Sequence, residues 1–162
     1  MMRTTSTPTS GTATTGTATT GTSTPSPLTL PSVTTAMDLL AAAGQSLGEA
    51  HWAATLHARY ASTRVAVLRA AAAVLAVRGG PHRGRGPTPV WELLPRLAPE
   101  LTEWAEHFAA ALPEDPADGR GPVCVRVVDD LLRDGEEFTR IVARTLGLPP
   151  VPVTADLTTL TG

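Results

Sequence analysis

The sequence predicts an all-α fold, a four-helix up-and-down bundle whose third helix is kinked or split near Pro95 and Pro99. Three observations predict it. From Met37 to Leu146 apolar residues recur at helical spacing on four successive segments. Strand-like alternation is almost absent, and clusters of Gly and Pro punctuate the segments at short intervals, as connections between antiparallel helices require. Ahead of these segments, residues 1–33 are mainly Thr, Ser, Gly and Pro, with nothing larger and apolar than Ala between Arg3 and Leu28. Such a stretch cannot offset its ordering entropy by burial, so it is expected to be a disordered tail. The bundle is expected over residues 34–148, followed by a Pro-rich C-terminal tail over 149–162 that packs across the bundle or stays mobile.

The first helix is expected to start at Thr34 or Thr35 as cap, with Asp38 in its first turn. Its stripe is Met37, Leu40, Ala43 or Gly44, and Leu47, and it should stop near Gly48. The second helix is expected from about Glu49 or Trp52 to Val77, ended by Gly79, Gly80 and Pro81. Trp52, Leu56, Tyr60, Val67, Ala71 and Val74 share one side of it. Beyond Arg69 it is apolar all round, which implies burial on several sides, and its alanines permit close helix approach.

The third helix should open with Thr88 as cap and Pro89 at the first helical position. Val90, Leu93, Leu94, Leu97, Leu101, Trp104, Phe108 and Leu112 continue one stripe through the Pro95–Pro99 interruption, opposite Glu100, Glu103 and Glu106. The fourth helix is expected from about Val123 to Leu146 on the stripe Val128, Leu131, Gly135, Phe138 and Val142, with Gly147 and Pro149 ending it.

Composition removes several function classes. A single cysteine, Cys124, excludes an intrachain disulfide and a cysteine-based metal site. The expected location is therefore cytoplasmic. The longest unbroken apolar run, Ala70 to Val77, is far short of the roughly 20 residues of a membrane span, so no membrane partner is expected. Every basic residue is Arg and none is Lys, which reflects genomic base composition more than chemistry.

Charge is unevenly distributed. Arg59, Arg64, Arg69, Arg78, Arg83 and Arg85 lie between Glu49 and Glu92 without one acid. The stretch from Glu92 to Asp118 then holds seven acids against Arg96 alone. This split places a positive patch beside a negative one, or two solvated faces that neutralise each other. The strongest local candidate for phosphate contact is the Gly-rich loop from Arg78 to Pro87, because guanidinium binds phosphate bidentately and glycine permits backbone approach. The candidate binding residues for RNA or a protein partner are therefore Arg78, His82, Arg83, Arg85, Trp91 and Arg96. Trp91 is included because it lies off the main stripe near the loop, whereas Trp52, Trp104, Phe108 and Phe138 are expected in the core.

Catalytic, metal and cofactor sites are not expected. Asp129, Asp130, Asp134, Glu136 and Glu137 could suggest a metal, but helical spacing offers Asp129 with Arg133 and Glu136 with Arg140 as surface ion pairs. Glu103 and His107 come within one residue of a di-metal spacing without reaching it. Ser46 and Ser62 have no visible base partner.

Three phrases carry a family resemblance: LRAAAAVLA from Leu68, WELLPRLAPELTEWA from Trp91, and DDLLRDGEEF from Asp129. Together they resemble an actinobacterial family of HEPN domains over roughly Met37 to Leu146. The resemblance implies a bundle of four or five helices, commonly a homodimer, often binding RNA. In active members it implies metal-independent cutting of single-stranded RNA by an Arg and a His a few residues apart on the last core helix. Here the sequence departs. After Arg120 the His position falls on Val125, Arg126 or Val127, and after Arg126 on Leu131, Leu132 or Arg133. Without an imidazole there, that chemistry lacks its proton carrier. The resemblance therefore implies a non-catalytic RNA-binding or protein-interaction module. The alternatives are an endoribonuclease with an atypical pair, Arg78 with His82 or Arg126 with Asp129, and a partner subunit of a nucleotidyltransferase toxin–antitoxin system.

Overall fold

A computed structural model describes residues 30–79, 88–112 and 124–152. Five α-helices and one 3₁₀ turn pack as a bundle, with no strand among the described residues. They are α1 (Leu30–Trp52), α2 (Leu56–Arg78), α3 (Val90–Leu97), the turn Pro99–Leu101, α4 (Thr102–Ala111) and α5 (Val125–Thr145). The expected third helix is α3 and α4, separated at Ala98 and Pro99. Pro99 has no N–H to continue the ladder, and the Ala98 amide closes α3 by donating to the Leu94 carbonyl at 2.8 Å.

The cross-helix contacts fix the topology. Arg69 of α2 donates to the Ala42 carbonyl and Ser46 hydroxyl of α1, so these helices run antiparallel across their short connection. Arg59 reaches Asp129 and Arg78 reaches Thr145, so α2 and α5 run parallel. Leu97 and Glu100 lie beside Arg78 at that same end, while His107 meets Asp134 further back along α5. The third unit is thus antiparallel to α5, and the order is up, down, up, down.

Helix ends are where the sequence reading needs correction. α1 begins at Leu30, inside the segment expected as tail, with Pro31 in its first turn where a missing N–H costs little. Thr34 and Thr35 do not cap it; their hydroxyls donate to the carbonyls of Leu30 and Pro31, four residues back. The helix also passes Gly44 and Gly48, both buried, and ends at Trp52. The chain breaks at residues 53–55, and α2 starts later than expected, capped by the Thr55 hydroxyl, which accepts from the Ala58 amide at 3.1 Å. Trp52 is therefore on no core stripe and is 82% exposed, and Met37 is likewise largely exposed. Pro89, not Thr88, occupies the position ahead of α3, whose first residue is Val90. At the end of α5, Gly147 adopts φ +66°. The Leu148 and Gly147 amides donate to the carbonyls of Ala143 and Arg144, a Schellman closure that favours glycine.

The core is continuous. Leu40, Leu47, Val67, Val74, Leu94, Leu101, Phe108, Val128, Phe138 and Val142 are fully enclosed, each contributing about 1.5 to 3 kcal/mol on burial. At its α3–α4–α5 end the rings of Trp91, Trp104, Phe108 and Phe138 stack and tilt against one another at centroid distances of 5.1 to 5.8 Å. Glu100, Glu103 and Glu106 face water as the pattern requires.

Beyond α5, Leu148 to Pro152 line an apolar groove with Met37, Leu40 and Ala41 of α1. Gly44 permits this: a methyl added there would lie 2.6 Å from Val151 Cγ1 and 3.1 Å from the Pro152 carbonyl oxygen. Gly44→Val is accordingly expected to lift this strap while leaving the helices formed. Hydroxyl-radical footprinting should show greater labelling of the Val151 side chain, and unchanged labelling would contradict the packing.

By length and composition α2 is apolar enough to cross a membrane, which the longest unbroken apolar run does not reveal. One side of it is the central packing surface, with Thr63, Ala66, Val67, Ala70, Ala71, Ala73 and Val74 buried. Its opposite side is also apolar and is only partly covered by the described residues: Ala58, Ala61 and Val65 are exposed, and Leu68, Ala72 and Ala76 are half-buried.

Candidate functional site

Of the six residues expected to bind RNA or a partner, His82, Arg83 and Arg85 lie outside the described residues. The other three do not assemble into a phosphate-binding surface. Arg78 is turned inward at the end of α2, where it donates to the Glu100 carboxylate at 2.5 Å and to the carbonyls of Leu97 and Thr145 at 3.4 Å. It clasps three segments together at one end of the bundle. Trp91 is packed against the core with its ring 5.6 Å from that of Phe108, so it is no exposed stacking platform. Arg96 is exposed on α3.

Glu100 sets a pH dependence. Its carboxyl is held below its usual range chiefly by a hydrogen bond from its own backbone amide; burial opposes this, and the hydrogen bond and charge of Arg78 add to it. A carboxyl lowered in the folded state adds stability that is present above its ordinary pKa and is lost as pH falls through the folded value. Glu100→Gln should therefore reduce the acid sensitivity of unfolding, read as Tm against pH. An unchanged profile would show that Glu100 does not carry this dependence.

The acidic residues of α5 form the densest polar network, though not as the expected helical pairs. Asp129 accepts from Arg59 of α2 at 2.6 Å instead of pairing with Arg133. Glu136 meets His51 of α1 at 2.5 Å instead of Arg140. Asp134 meets His107 of α4 at 2.9 Å. Three carboxylates from one helix thus reach three different neighbours, and no group of three or more metal-ligating side chains forms among the described residues. His51, Arg59, Asp129, Leu132, Arg133 and Glu136 line a cleft of about 220 Å³ between α1, α2 and α5.

The cleft is charge-compensated. Each carboxylate in it already faces a basic side chain, so it offers an incoming anion little uncancelled field. The Arg59 Nε is enclosed without an acceptor, which makes Arg59 depend on its one strong contact to Asp129. Asp129→Asn should therefore cost on the order of 1 kcal/mol, whereas Asp130→Asn, on the exposed surface beside Arg133, should stay within about 0.5 kcal/mol. Equal costs in urea titrations would contradict this ordering.

The remaining arginines of α5 form a row. Arg126, Arg133, Arg140 and Arg144 are exposed, Arg126 to 91% of its side chain, and Asp130 and Glu137 lie between them in ion pairs. Arg126 stands nearest Asp130 at 3.9 Å while Asp129 is engaged by Arg59, so the suggested Arg126 and Asp129 pair is not assembled. The cross-helix partners escape sequence reasoning because residues about 70 to 85 positions apart leave no local signal. The one available hint is that α2 has cations and no acids.

These features define an all-α bundle built on a long central apolar helix, with its last helix tied to three others by carboxylates. The sequence matches a family of HEPN-like domains over residues 50–143, more than half of the chain, and the chain belongs to that family. No curated protein and no solved structure gives a significant match.

Proposed function

We propose that this chain is a non-catalytic protein-interaction module of the HEPN class. The observation that carries this reading is the outward side of α2, an uncharged stripe from Ala58 to Ala76 that the described residues leave partly open, with Ala58, Ala61 and Val65 exposed. A helix apolar on all sides is normally enclosed, and a helix with one such side left open is a docking surface. The absence of His from the α5 sequence supports the non-catalytic part, because that helix lacks the proton carrier the family's chemistry uses. The test is recovery of the chain from its own cells at low salt, followed by identification of what accompanies it. A polypeptide retained by the wild type and lost from Val65→Glu is the expected result, and RNA as the sole companion overturns the reading.

RNA binding is the second reading, favoured by the exposed arginine row of α5. It carries its own signature. If four of these arginines contact phosphates, a fourfold rise in salt weakens binding on the order of a hundredfold, and Arg133→Ala lowers the slope. A flat response to salt removes it.

A further inference from the structure

We propose that the groove holding residues 148–152 continues along α1 as a site for an extended chain, and that its next occupant is this chain's own residues 153–155, with Val153 seated on Gly48 as Val151 is seated on Gly44. The surface belongs to α1 and does not depend on the reading of α2. Gly147 reverses the chain at the end of α5. That end stands level with Met37 to Ala41, because α5 runs antiparallel to α1 with Glu136 beside His51. By Val151 and Pro152 the strap has reached Gly44, so it is heading toward the C-terminal end of α1. Gly48 lies one turn further along that side of the helix. A second hollow, of about 460 Å³, opens there between Gln45, Gly48, Glu49 and Trp52.

Two periodicities agree at this point. Alternate residues of an extended chain stand about 6.5 Å apart on one face, and helix residues four apart rise about 6 Å on nearly the same face. With Val151 on Gly44, Val153 therefore falls on Gly48 and Ala155 falls level with Trp52. The sequence carries the side chains this register requires: Val151, Val153 and Ala155 are apolar, while Thr154 and Asp156 are polar. A slip of one residue turns Thr154 to the helix and Val153 to water. On the helix side, bare backbone at Gly44 and Gly48 lets a β-branched side chain approach closely, and a residue as small as Ala155 leaves the Trp52 ring open, as its exposure requires.

Continuity with a contact already made identifies the occupant. Residues 153–162 lie outside the described residues, and the first three suffice, since four residues of extended chain span about 13 Å and Gly44 to Trp52 rises about 12 Å. A segment joined to Pro152 meets the hollow at the millimolar effective concentration of a short link, ahead of any separate molecule.

Disulfide trapping in the full chain tests the register, in a Cys124→Ser background. Gly48→Cys with Val153→Cys should close within one molecule at least about tenfold faster than Gly48→Cys with Thr154→Cys, whose side chain points the other way and cannot be bridged without turning the backbone. Adding Gly44→Val, which lifts the strap, should erase the difference. A ratio below about tenfold, faster closure through Thr154→Cys, or a product that joins two molecules overturns the proposal, the last by giving the groove to another chain.

Circular dichroism checks that Gly48→Cys keeps its helices. If it does not, hydroxyl-radical footprinting of the wild type decides. Labelling of Val153 at less than about half its rate in the urea-unfolded chain supports the seat, and labelling at or above that rate overturns it.

Discussion

Phe108→Ala should lower the stability of the bundle by about 3 to 5 kcal/mol, read as a shift in the urea midpoint. Phe108 is fully enclosed, and its ring touches four others, those of Trp91, Trp104, His107 and Phe138. Truncation removes the shared member of this cluster and leaves a void that rings on three separate helices cannot close together. With a total stability of roughly 5 to 15 kcal/mol for a domain of this size, the variant should be marginal at room temperature. The fluorescence of Trp91 and Trp104 should shift to longer wavelength in the same transition. A cost below about 1 kcal/mol would show that α4 does not pack as described.

Gly135→Leu should be the next most damaging substitution, by about 1 to 3 kcal/mol or more, because it overfills the meeting point of three helices. A methyl group at Gly135 would lie 3.2 Å from Val67 Cγ2, 3.4 Å from Leu47 Cδ2 and 3.4 Å from Thr63 Cγ2. Those atoms belong to α1 and α2, so a larger side chain pushes α5 away from both. Gly135→Ala is the informative control. Its gain of up to about 1 kcal/mol in helix propensity is set against a displacement of a few tenths of an ångström, and the two should nearly cancel. If Leu is tolerated as well as Ala, the close approach of α5 is wrong.

The fold is legible in the sequence wherever a stripe meets a buried surface. Val128, Leu131, Gly135, Phe138 and Val142 share one side of the last helix by spacing, and all are buried. The split of the third helix follows from Pro95 and Pro99 because a missing amide is a local fact. Expectation and structure part where local chemistry permits two outcomes. Residues 53–54 are both Ala, which favours helix, so the break before Thr55 leaves no local mark and Trp52 is expected in the core although it is exposed. Thr34 and Thr35 suit a cap but equally suit hydroxyl bonds to carbonyls four residues back, and tertiary packing decides for the longer helix.

The candidate site is less legible than the fold. A charge count locates Arg78 but cannot show that its guanidinium turns inward to Glu100, Leu97 and Thr145. The acidic run on α5 offers helical partners at four-residue spacing, yet Asp129, Asp134 and Glu136 find bases on three other helices. Partner choice among charged side chains depends on which helices become neighbours, and that information is in the topology. By contrast, the apolar circumference of α2 is visible in the sequence as a demand for burial on several sides. Only the structure shows that the described residues leave one side partly open.

If that side of α2, and not the arginines of α5, recognises the partner, hydroxyl-radical footprinting of the full chain with and without the polypeptide recovered with it from its own cells reads it directly. Oxidation at Val65 and Leu68 should fall on association while Trp52 and Val127 stay reactive. Unchanged labelling of Val65 and Leu68, with protection appearing along α5 when single-stranded RNA is added, would contradict it.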